Sequence, residues 1–161
     1  MSSATQRALA VFNDLKGKES PPSHWHTVTQ EQIDSFARTT LDDQFIHTDP
    51  VRSAKESPFG TTIAHGFLTL SLLSHLMQSI PRPNPDPSQG RLVGINYGLD
   101  RVRFPTPVRV NSRIRATQSL VSVEQKDPRT LQMIHHMTVE IEGESKPGCV
   151  ADYVVRAIYA S

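Results

Sequence analysis

The feature that most constrains the fold is an apolar segment with helical character, residues 63–80. Its large apolar residues are Phe67, Leu68, Leu70, Leu72, Leu73, Leu76 and Met77. On a helix these side chains cover nearly the whole circumference, so the pattern predicts a helix that is buried on most sides. Pro81 follows the segment and ends the helix. Such a helix needs another layer of structure wrapped around it.

The chain after Arg91 has the pattern of β-strands. Apolar residues alternate with polar ones over long stretches, and turns are predicted at residues 126–129 and 142–148. The apolar phase changes between Ala116 and Val121, which predicts a β-bulge. One buried helix followed by several antiparallel strands indicates an α+β fold, in which a long central helix is wrapped by a curved antiparallel sheet.

The remaining segments complete one predicted domain, residues 1–161. Residues 1–22 are interpreted as a helix at 3–15 and a polar connection. Thr29 is a predicted helix cap. Residues 81–90 are rich in proline and predict a loop that could act as a lid.

Composition excludes several functions. The formal net charge is +1, so no overall field favours nucleic acid or an anionic membrane surface. Cys149 is the only cysteine, which excludes an intrachain disulfide and a cysteine metal site. No apolar stretch is long enough to span a membrane, and no signal peptide is recognisable. We therefore expect a soluble, cytoplasmic protein.

An acid/base pair lies just before the apolar helix. Asp42 precedes His47 by five residues, and Gly66 stands where the helix begins. A carboxylate and an imidazole can transfer protons, and free N–H groups at a helix start can bind developing negative charge. This arrangement suits proton transfer on a carbonyl compound. The alternative is a loop carboxylate, a partly exposed histidine and a glycine needed only for close packing.

Other histidines and a group of arginines have side chains that could bind a metal or a phosphate. His24 and His26 flank Trp25, but no further ligand cluster supports a metal there. His135 and His136 point to opposite faces of a strand, so they cannot bind one ion. The sequence therefore predicts no metal site.

Five arginines cluster in one stretch of the chain. They either contact phosphates or lie on an exposed sheet face. These residues are Arg101, Arg103, Arg109, Arg113 and Arg115.

Several blocks in the right order resemble the MaoC-like dehydratase family of (R)-specific enoyl-CoA hydratases, and especially its subset of nodulation protein N. The blocks are Asp42-Asp-Gln-Phe-Ile-His47, Pro58-Phe-Gly60, Ile63-Ala-His-Gly-Phe-Leu68, Asn96-Tyr-Gly98 and Arg103-Phe-Pro-Thr-Pro-Val108. The similarity runs from about Trp25 to the C-terminus. It implies the hot-dog fold.

The resemblance also implies the reaction and the catalytic residues. Hydration of a trans-2-enoyl-CoA gives the (R)-3-hydroxyacyl-CoA, and the reaction is reversible. Asp42 and His47 would be the acid/base pair, and the N–H of Gly66 would stabilise the thioester oxygen. His65 would be structural and bonded to backbone.

Substrate contacts follow from the same resemblance. Gln44 and Ser74 match positions that line the site in related hydratases, whereas Arg101 and Arg103 would bind the coenzyme A phosphates. A homodimer is expected, with no metal or redox cofactor, since coenzyme A is part of the substrate. No nucleic acid or membrane partner is expected.

Three residues depart from the family pattern. Leu41 replaces a glycine, and a positive φ there would strain the turn. Gln44 replaces an asparagine and moves the amide one methylene outward. Asn111 replaces another glycine and tolerates positive φ. Leu41 and Gln44 leave open a non-catalytic acyl-CoA-binding or nodulation-type accessory protein. A hot-dog thioesterase and a dehydratase acting on an acyl carrier protein are further alternatives.

Overall fold

The computed structural model describes residues 2–160, which fold into five strands and six short helices. The strands are β1 (His26–Thr27), β2 (Arg91–Arg103), β3 (Arg113–Asp127), β4 (Thr130–Ile141) and β5 (Cys149–Tyr159). They form one antiparallel sheet in the order β1-β3-β4-β5-β2. The helices are α1 (Ala4–Leu15), α2 (Gln30–Thr40), α3 (Phe45–Thr48), α4 (Pro50–Glu56), α5 (Gly66–Ser71) and α6 (Leu73–Met77). The α+β prediction is confirmed.

The first two helices are both capped by side chains, and α2 begins where the predicted cap Thr29 places it. Ser3 and Gln6 form a complete capping box at α1. Thr29 caps α2 by accepting a hydrogen bond from the backbone N–H of Gln32 at 3.2 Å. The sequence also predicts a capping box in which the side chain of Gln32 bonds back to Thr29, but this side chain bonds to the ring of His26 at 3.0 Å. This contact ties the start of α2 to the sheet edge at β1.

The segment that carries the acid/base pair is more ordered than expected. The sequence from Asp42 to His47 is too broken to predict a regular helix, yet α3 forms one turn there. The backbone carbonyl of Gln44 accepts from the N–H groups of His47 and Thr48 at 2.9 and 3.2 Å. Asp49 then caps α4 as expected, with Pro50 in the first turn. A single turn of this length has too little periodicity to be recognised in a sequence.

The prediction of one continuous helix over residues 63–80 is wrong in its bounds. Ala64 lies in extended backbone and donates its N–H to the carbonyl of Val108 at 2.7 Å, so the helix begins only at Gly66. Leu72, with φ −67° and ψ −15°, separates α5 from α6. These angles resemble a tighter 3₁₀ turn and interrupt the α-helical ladder.

One face of α5 and α6 is less buried than predicted. Leu68, Leu72, Leu73 and Leu76 are buried against the sheet. Phe67, in contrast, is 68% exposed. The leucines of these helices therefore pack in the core, whereas the aromatic ring of Phe67 lies on the surface beside Gly66.

Strand β2 forms an exposed sheet edge. It pairs with β5 alone, and large apolar side chains along it stay exposed: Leu92, Val93, Ile95, Tyr97 and Leu99. The β3–β4 register shifts between Leu120 and Ser122, which confirms the bulge predicted before Val121. Asn111 has a φ of 63°, as its place in the turn predicts.

Two separate apolar clusters fill the interior. The main core includes Ile33, Leu68, Leu73, Ile114, Met137, Val139 and Cys149. The second core lies under α1 and includes Phe12, Leu120, Leu131, Met133 and Tyr159. Burial raises the pKa of the Cys149 thiol to about 11.

The proline-rich loop is fixed to the rest of the fold. The hydroxyl of Tyr159 donates to the carbonyl of Pro87 at 2.9 Å, and the N–H of Ala160 donates to Gly90 at 2.8 Å. Arg82 bonds to Asp86 and Ser88 within the loop. These bonds favour a rigid wall over the lid considered above.

Among residues 2–160, no helix has the length and apolarity needed to cross a bilayer.

Candidate active site

The end of α2 brings Asp42 into the site. Leu41 ends this helix in the left-handed conformation, with φ 63° and ψ 23°. Its side chain is 85% exposed, so packing does not compensate for the unfavourable backbone. The sharp turn sends Asp42, which is half-buried, back toward the core.

His47 is buried and held in one orientation by α3. Its Nδ1 donates to the carbonyl of Ile63 at 2.7 Å, because a carbonyl oxygen can only accept. This bond leaves Nε2 with the lone pair. Burial lowers the pKa of His47, and His65 lowers it further, whereas the Ile63 carbonyl and Asp42 act in the opposite direction. The imidazole is therefore neutral at pH 7 and able to accept a proton.

His65 joins the two predicted catalytic residues. Its Nε2 donates to the backbone carbonyl of Asp42 at 2.9 Å. Its ring stacks on that of His47, with centroids 3.8 Å apart and planes inclined by 24°. Phe36 packs near the same ring at 5.0 Å. The expected backbone bond of His65 is thus present, and the stacking on His47 is an additional contact that sequence reasoning missed.

The cluster has the spacing of metal ligands but a different orientation. Ligand atoms of Asp42, His47 and His65 all lie within 4.8 Å of one another. Imidazole nitrogens bind metals along lone pairs in the ring plane. Two stacked rings direct those lone pairs side by side rather than toward one point. The arrangement therefore suits proton transfer better than metal binding.

Gly66 is the first residue of α5, so its N–H has no intrahelical partner. A Cβ at this position would lie 2.9 Å from the ring of Phe104. The missing side chain therefore lets an aromatic ring approach the backbone closely. Phe104 also packs edge-on against Phe67, with centroids 6.3 Å apart. Both readings of this glycine, as an anion-binding amide and as a packing site, remain compatible with the geometry.

A buried polar network supports the histidine turn from below. Gln30 donates to the backbone carbonyl of His47 at 2.7 Å, and Thr62 donates to Gln30 at 2.5 Å. Thr62 is fully buried. Sequence reasoning missed Gln30, which stands at the first position of α2 with no motif around it.

Comparisons with known proteins identify the family of this chain. The MaoC-like domain matches residues 12–142. This chain belongs to the MaoC-like domain family. It is 49% identical over 154 residues to 3-hydroxyacyl-thioester dehydratase Z of Mycobacterium tuberculosis (strain H37Rv), covering 96% of this chain and 98% of the relative. It is 46% identical over 148 residues to nodulation protein N of Rhizobium leguminosarum bv. viciae, covering 91% and 89%.

Solved structures support the fold. The MaoC-like dehydratase from Rhodospirillum rubrum superimposes with a TM-score of 0.70 at 21% identity, covering 92% of this chain and 97% of that one. The (R)-hydratase from A. caviae gives a TM-score of 0.66 at 20% identity, covering 86% and 95%. The family resemblance and the hot-dog fold inferred from the sequence are confirmed.

Two of the predicted substrate residues of this MaoC-like chain lie apart from the cluster or face solvent. Gln44 is exposed, and its backbone rather than its amide holds α3. Ser74 is exposed on α6, in a groove that it shares with Tyr97 and other residues of β2. At the groove floor the hydroxyl of Tyr153 donates to Asn96. Within the described residues this groove lies on the free edge of the sheet.

The two predicted phosphate-binding arginines differ in their contacts. Arg101 has a φ of 51°, and its Nε donates to the carboxylate of Asp152 at 2.6 Å. Asp152 is buried and also bonds to His136 at 2.9 Å. Arg103 is exposed and bonds only to the neighbouring carbonyl of Val102 among residues 2–160. Arg103 is thus the freer of the two for a phosphate.

Two further arginines of the cluster form cross-strand pairs. Arg113 bonds to Glu142 and Arg115 to Glu140, both at 2.7 Å. Both guanidinium groups also lie over the ring of Trp25. These contacts favour the interpretation of an exposed sheet face for this part of the cluster.

Proposed function

We propose that this protein adds water reversibly to a trans-2-enoyl thioester and produces the (R)-3-hydroxyacyl thioester. The observation that carries the proposal is the cluster of Asp42, His47 and His65 directly before Gly66, at the start of α5. Relatives named as a dehydratase of 3-hydroxyacyl thioesters and as (R)-hydratases support a hydro-lyase of this type.

In the proposed reaction Asp42 and His47 bind one water. The ionised carboxylate and the neutral Nε2 of His47 each accept one of its hydrogens. As the water oxygen attacks C3, one of the two bases takes a proton, and C2 receives a proton from the pair. The sum is the addition of one water across the double bond. Positioned acid/base groups each contribute about 10²–10⁴ in rate.

Negative charge develops on the thioester oxygen during this attack. The N–H of Gly66 points out of the first turn of α5 and would donate to that oxygen. The room above the glycine is limited by Phe104. We therefore infer that Phe104 shapes the entrance through which the thioester reaches the amide.

The lowered pKa of His47 predicts the acid limb of the pH profile. The reaction needs the neutral imidazole, so kcat/KM falls as pH drops through the pKa of His47 in the free enzyme. Because burial lowers that pKa below 6.5, activity should persist below pH 6.5. An acid limb centred above 6.5 would contradict the role of a neutral buried His47.

We also propose that two chains pair through β2. An exposed edge strand with large apolar side chains is prone to association unless it is covered. Tyr97 is 56% exposed, and with Leu99 it lines the groove that contains Ser74. A partner strand laid along β2 would cover these side chains and place Ser74 near the subunit boundary. An Ile95→Glu variant should then sediment as a monomer, whereas the unaltered chain sediments as a dimer.

The acyl carrier is proposed to be coenzyme A. Arg103 is the last residue of β2, and its guanidinium is exposed, so a phosphate could reach it there. Arg103→Gln should raise KM for acyl-CoA more than it lowers kcat. Arg101→Gln tests the same role, although the paired Asp152 would then lose a buried partner.

One assay separates the candidate functions. The protein is incubated with crotonyl-CoA and a panel of longer enoyl-CoAs, and both the enoyl absorbance and free thiol are followed. Loss of absorbance with intact thioester supports hydration. Thiol release would identify a thioesterase instead. No change with any chain length would contradict the enzyme and favour an accessory acyl-CoA-binding protein.

A further inference from the structure

A second cavity lies far from the proposed catalytic residues. It measures about 340 Å³ and is enclosed by the C-terminal end of α1, the connection that follows α1, the proline-rich loop and the sheet. Its residues include Ile80, fourteen positions after Gly66. At 1.5 Å per residue a helix of that length spans about 20 Å. The cavity therefore lies at the opposite end of the central helical segment.

The walls of this distal cavity are mainly apolar. Phe12 and Leu15 come from α1, Leu120 from β3 and three prolines from the loop after Ile80. Charged side chains at the cavity comprise Lys18, Glu19 and Arg82. Arg82 is already bound to Asp86 in the loop. Net charge at the entrance is thus small, which favours a neutral ligand.

The floor carries two buried polar atoms that have no hydrogen-bond partner among residues 2–160. They are Oε1 of Gln118 and Nδ1 of His135. In the β3–β4 register Leu120 is opposite His135 and Gln118 is opposite Met137, so Gln118 and His135 are diagonal neighbours on one sheet face. Such buried unpaired atoms are uncommon because each loses hydrogen bonds with water.

His135 lies between two apolar side chains of its strand, so apolar neighbours flank its unpaired Nδ1. Met133 on one side belongs to the second core and Met137 on the other side belongs to the main core. Burial lowers the pKa of His135 to about 4, so the ring is neutral at physiological pH. A neutral imidazole and an amide oxygen can bind a hydroxyl without placing a charge in the interior.

The cavity is held open by backbone bonds rather than by its contents. The N–H of Gly17 donates to the carbonyl of Leu120 at 2.9 Å, and the N–H of Ser20 donates to Gln118 at 2.8 Å. The opposite wall is fixed by the bond from Tyr159 to Pro87. A preformed apolar cavity with a few convergent polar groups is typical of small-molecule sites.

We propose that this distal cavity binds a neutral aliphatic molecule bearing a hydroxyl group. The hydroxyl lies on the floor between Gln118 and His135, and the aliphatic part lies against Phe12, Leu15 and the prolines. A hydroxyl donates its one hydrogen to the amide oxygen of Gln118 and accepts from the Nδ1–H of His135, so it satisfies both atoms when the imidazole carries its proton on Nδ1. The site is separate from the proposed hydratase site and does not depend on that activity.

The test compares two isomeric probes. 1-Hexanol and pentyl methyl ether have the same atoms, but only the alcohol can donate a hydrogen bond. Each is titrated into the ¹⁵N-labelled full chain, and Kd is taken from amide shifts. We expect saturable shifts at residues around the cavity and at least about fivefold tighter binding of the alcohol. Equal affinities, shifts confined to other surfaces, or no saturation up to the solubility limit of the alcohol would overturn the proposal.

Variants identify the atoms responsible. A Gln118→Leu/His135→Leu double variant should lose the preference for the alcohol, because neither floor atom remains. Gln132→Leu is the matched control, since it removes an amide from β4 that bonds to Arg156 outside the cavity. The control should keep the preference. Loss of preference in the control, or its retention in the double variant, would refute the assigned contacts. The wild-type comparison of probes decides the proposal even if the double variant fails to fold.

Discussion

Two regions of this molecule each bury a histidine whose pKa is lowered, His47 in one and His135 in the other. At the Asp42–His47–His65 cluster, each ring donates to a backbone carbonyl, His47 to that of Ile63 and His65 to that of Asp42, although Nδ1 of His65 has no partner within the described residues. In the distal cavity Nδ1 of His135 has no partner within residues 2–160. Burial is the main cause of the lowered pKa in His47 and His135 alike. A lowered pKa therefore does not by itself distinguish a catalytic base from a ligand-binding group.

What distinguishes them is orientation. The Ile63 carbonyl fixes the tautomer of His47 and directs its lone pair outward, where Asp42 can share a water. The ring of His65 limits rotation by stacking. His135 has neither a fixing bond nor a carboxylate at its ring in the described part of the chain. The comparison predicts that activity resides at one histidine region and binding at the other.

The largest expected effect separates the two regions by activity. Asp42→Asn and His47→Gln should each lower kcat for crotonyl-CoA hydration by at least about a hundredfold, because each removes a proton acceptor at the shared water. Thermal unfolding should change little. Asp43→Asn and His135→Gln are the matched controls and should keep near-normal turnover. Near-normal hydration by either cluster variant would remove the assignment of the acid/base pair.

The next largest expected effect is on the pH dependence of the free energy of unfolding. Burial lowers the pKa of His135 from its ordinary value of 6.5 to about 4 in the folded chain, so between these values the unfolded chain binds more protons. As pH falls from 6.5 to 4, the free energy of unfolding should therefore decrease, by up to about 3 kcal/mol from this residue. Urea titrations at several pH values measure the slope, and His135→Leu should flatten it. An unchanged slope in that variant would mean that His135 is not titrating as a buried group.

A third prediction addresses Gly66. Gly66→Ala places a Cβ against the Phe104 ring, so we expect destabilisation of about 1–3 kcal/mol and reduced turnover. Phe104→Ala in the same chain should restore stability. If turnover recovers as well, the alanine acted only by displacing the ring, since its N–H is retained. If turnover stays low while stability recovers, the thioester itself needs the space.

The smallest effect concerns the turn before Asp42. Leu41→Gly should raise the free energy of unfolding by up to about 1 kcal/mol, because a positive φ costs glycine less than leucine and the exposed side chain contributes no packing. Arg38→Gly, in the regular part of α2, is the contrasting control and should destabilise. A destabilised Leu41→Gly variant would indicate that the exposed leucine makes a stabilising contact, for instance in an assembly.

The Asp42–His47–His65 cluster is easier to recognise from the sequence than the distal cavity, for a physical reason. Asp42, His47 and Gly66 belong to local motifs, and Asp49 is a local cap, so short-range patterns suffice to recognise them. The stacking of His65 on His47 depends on α3 and α5 meeting in space, and no local pattern encodes that contact. The interruption at Leu72 likewise occurs without a glycine or proline that would mark it in the sequence.

His135 illustrates the same limit. In the sequence His135 alternates with Met133 and Met137, which makes it the polar member of an apolar strand face. Its missing partner follows from how α1, the proline-rich loop and the β3–β4 register come together. Gln118 carried no signal at all, because an isolated glutamine in a strand is ordinary. Long-range contacts therefore decide which polar residues become a site.

The buried Cys149 has a practical consequence. A lone sulfhydryl with a pKa of about 11, completely enclosed in the main core, is almost entirely protonated and shielded from alkylating reagents at neutral pH. It becomes reactive only when β5 separates from its neighbours. The rate at which a chromogenic disulfide modifies the Cys149 sulfur therefore measures how often the sheet opens at β5. No engineered label is needed for this measurement.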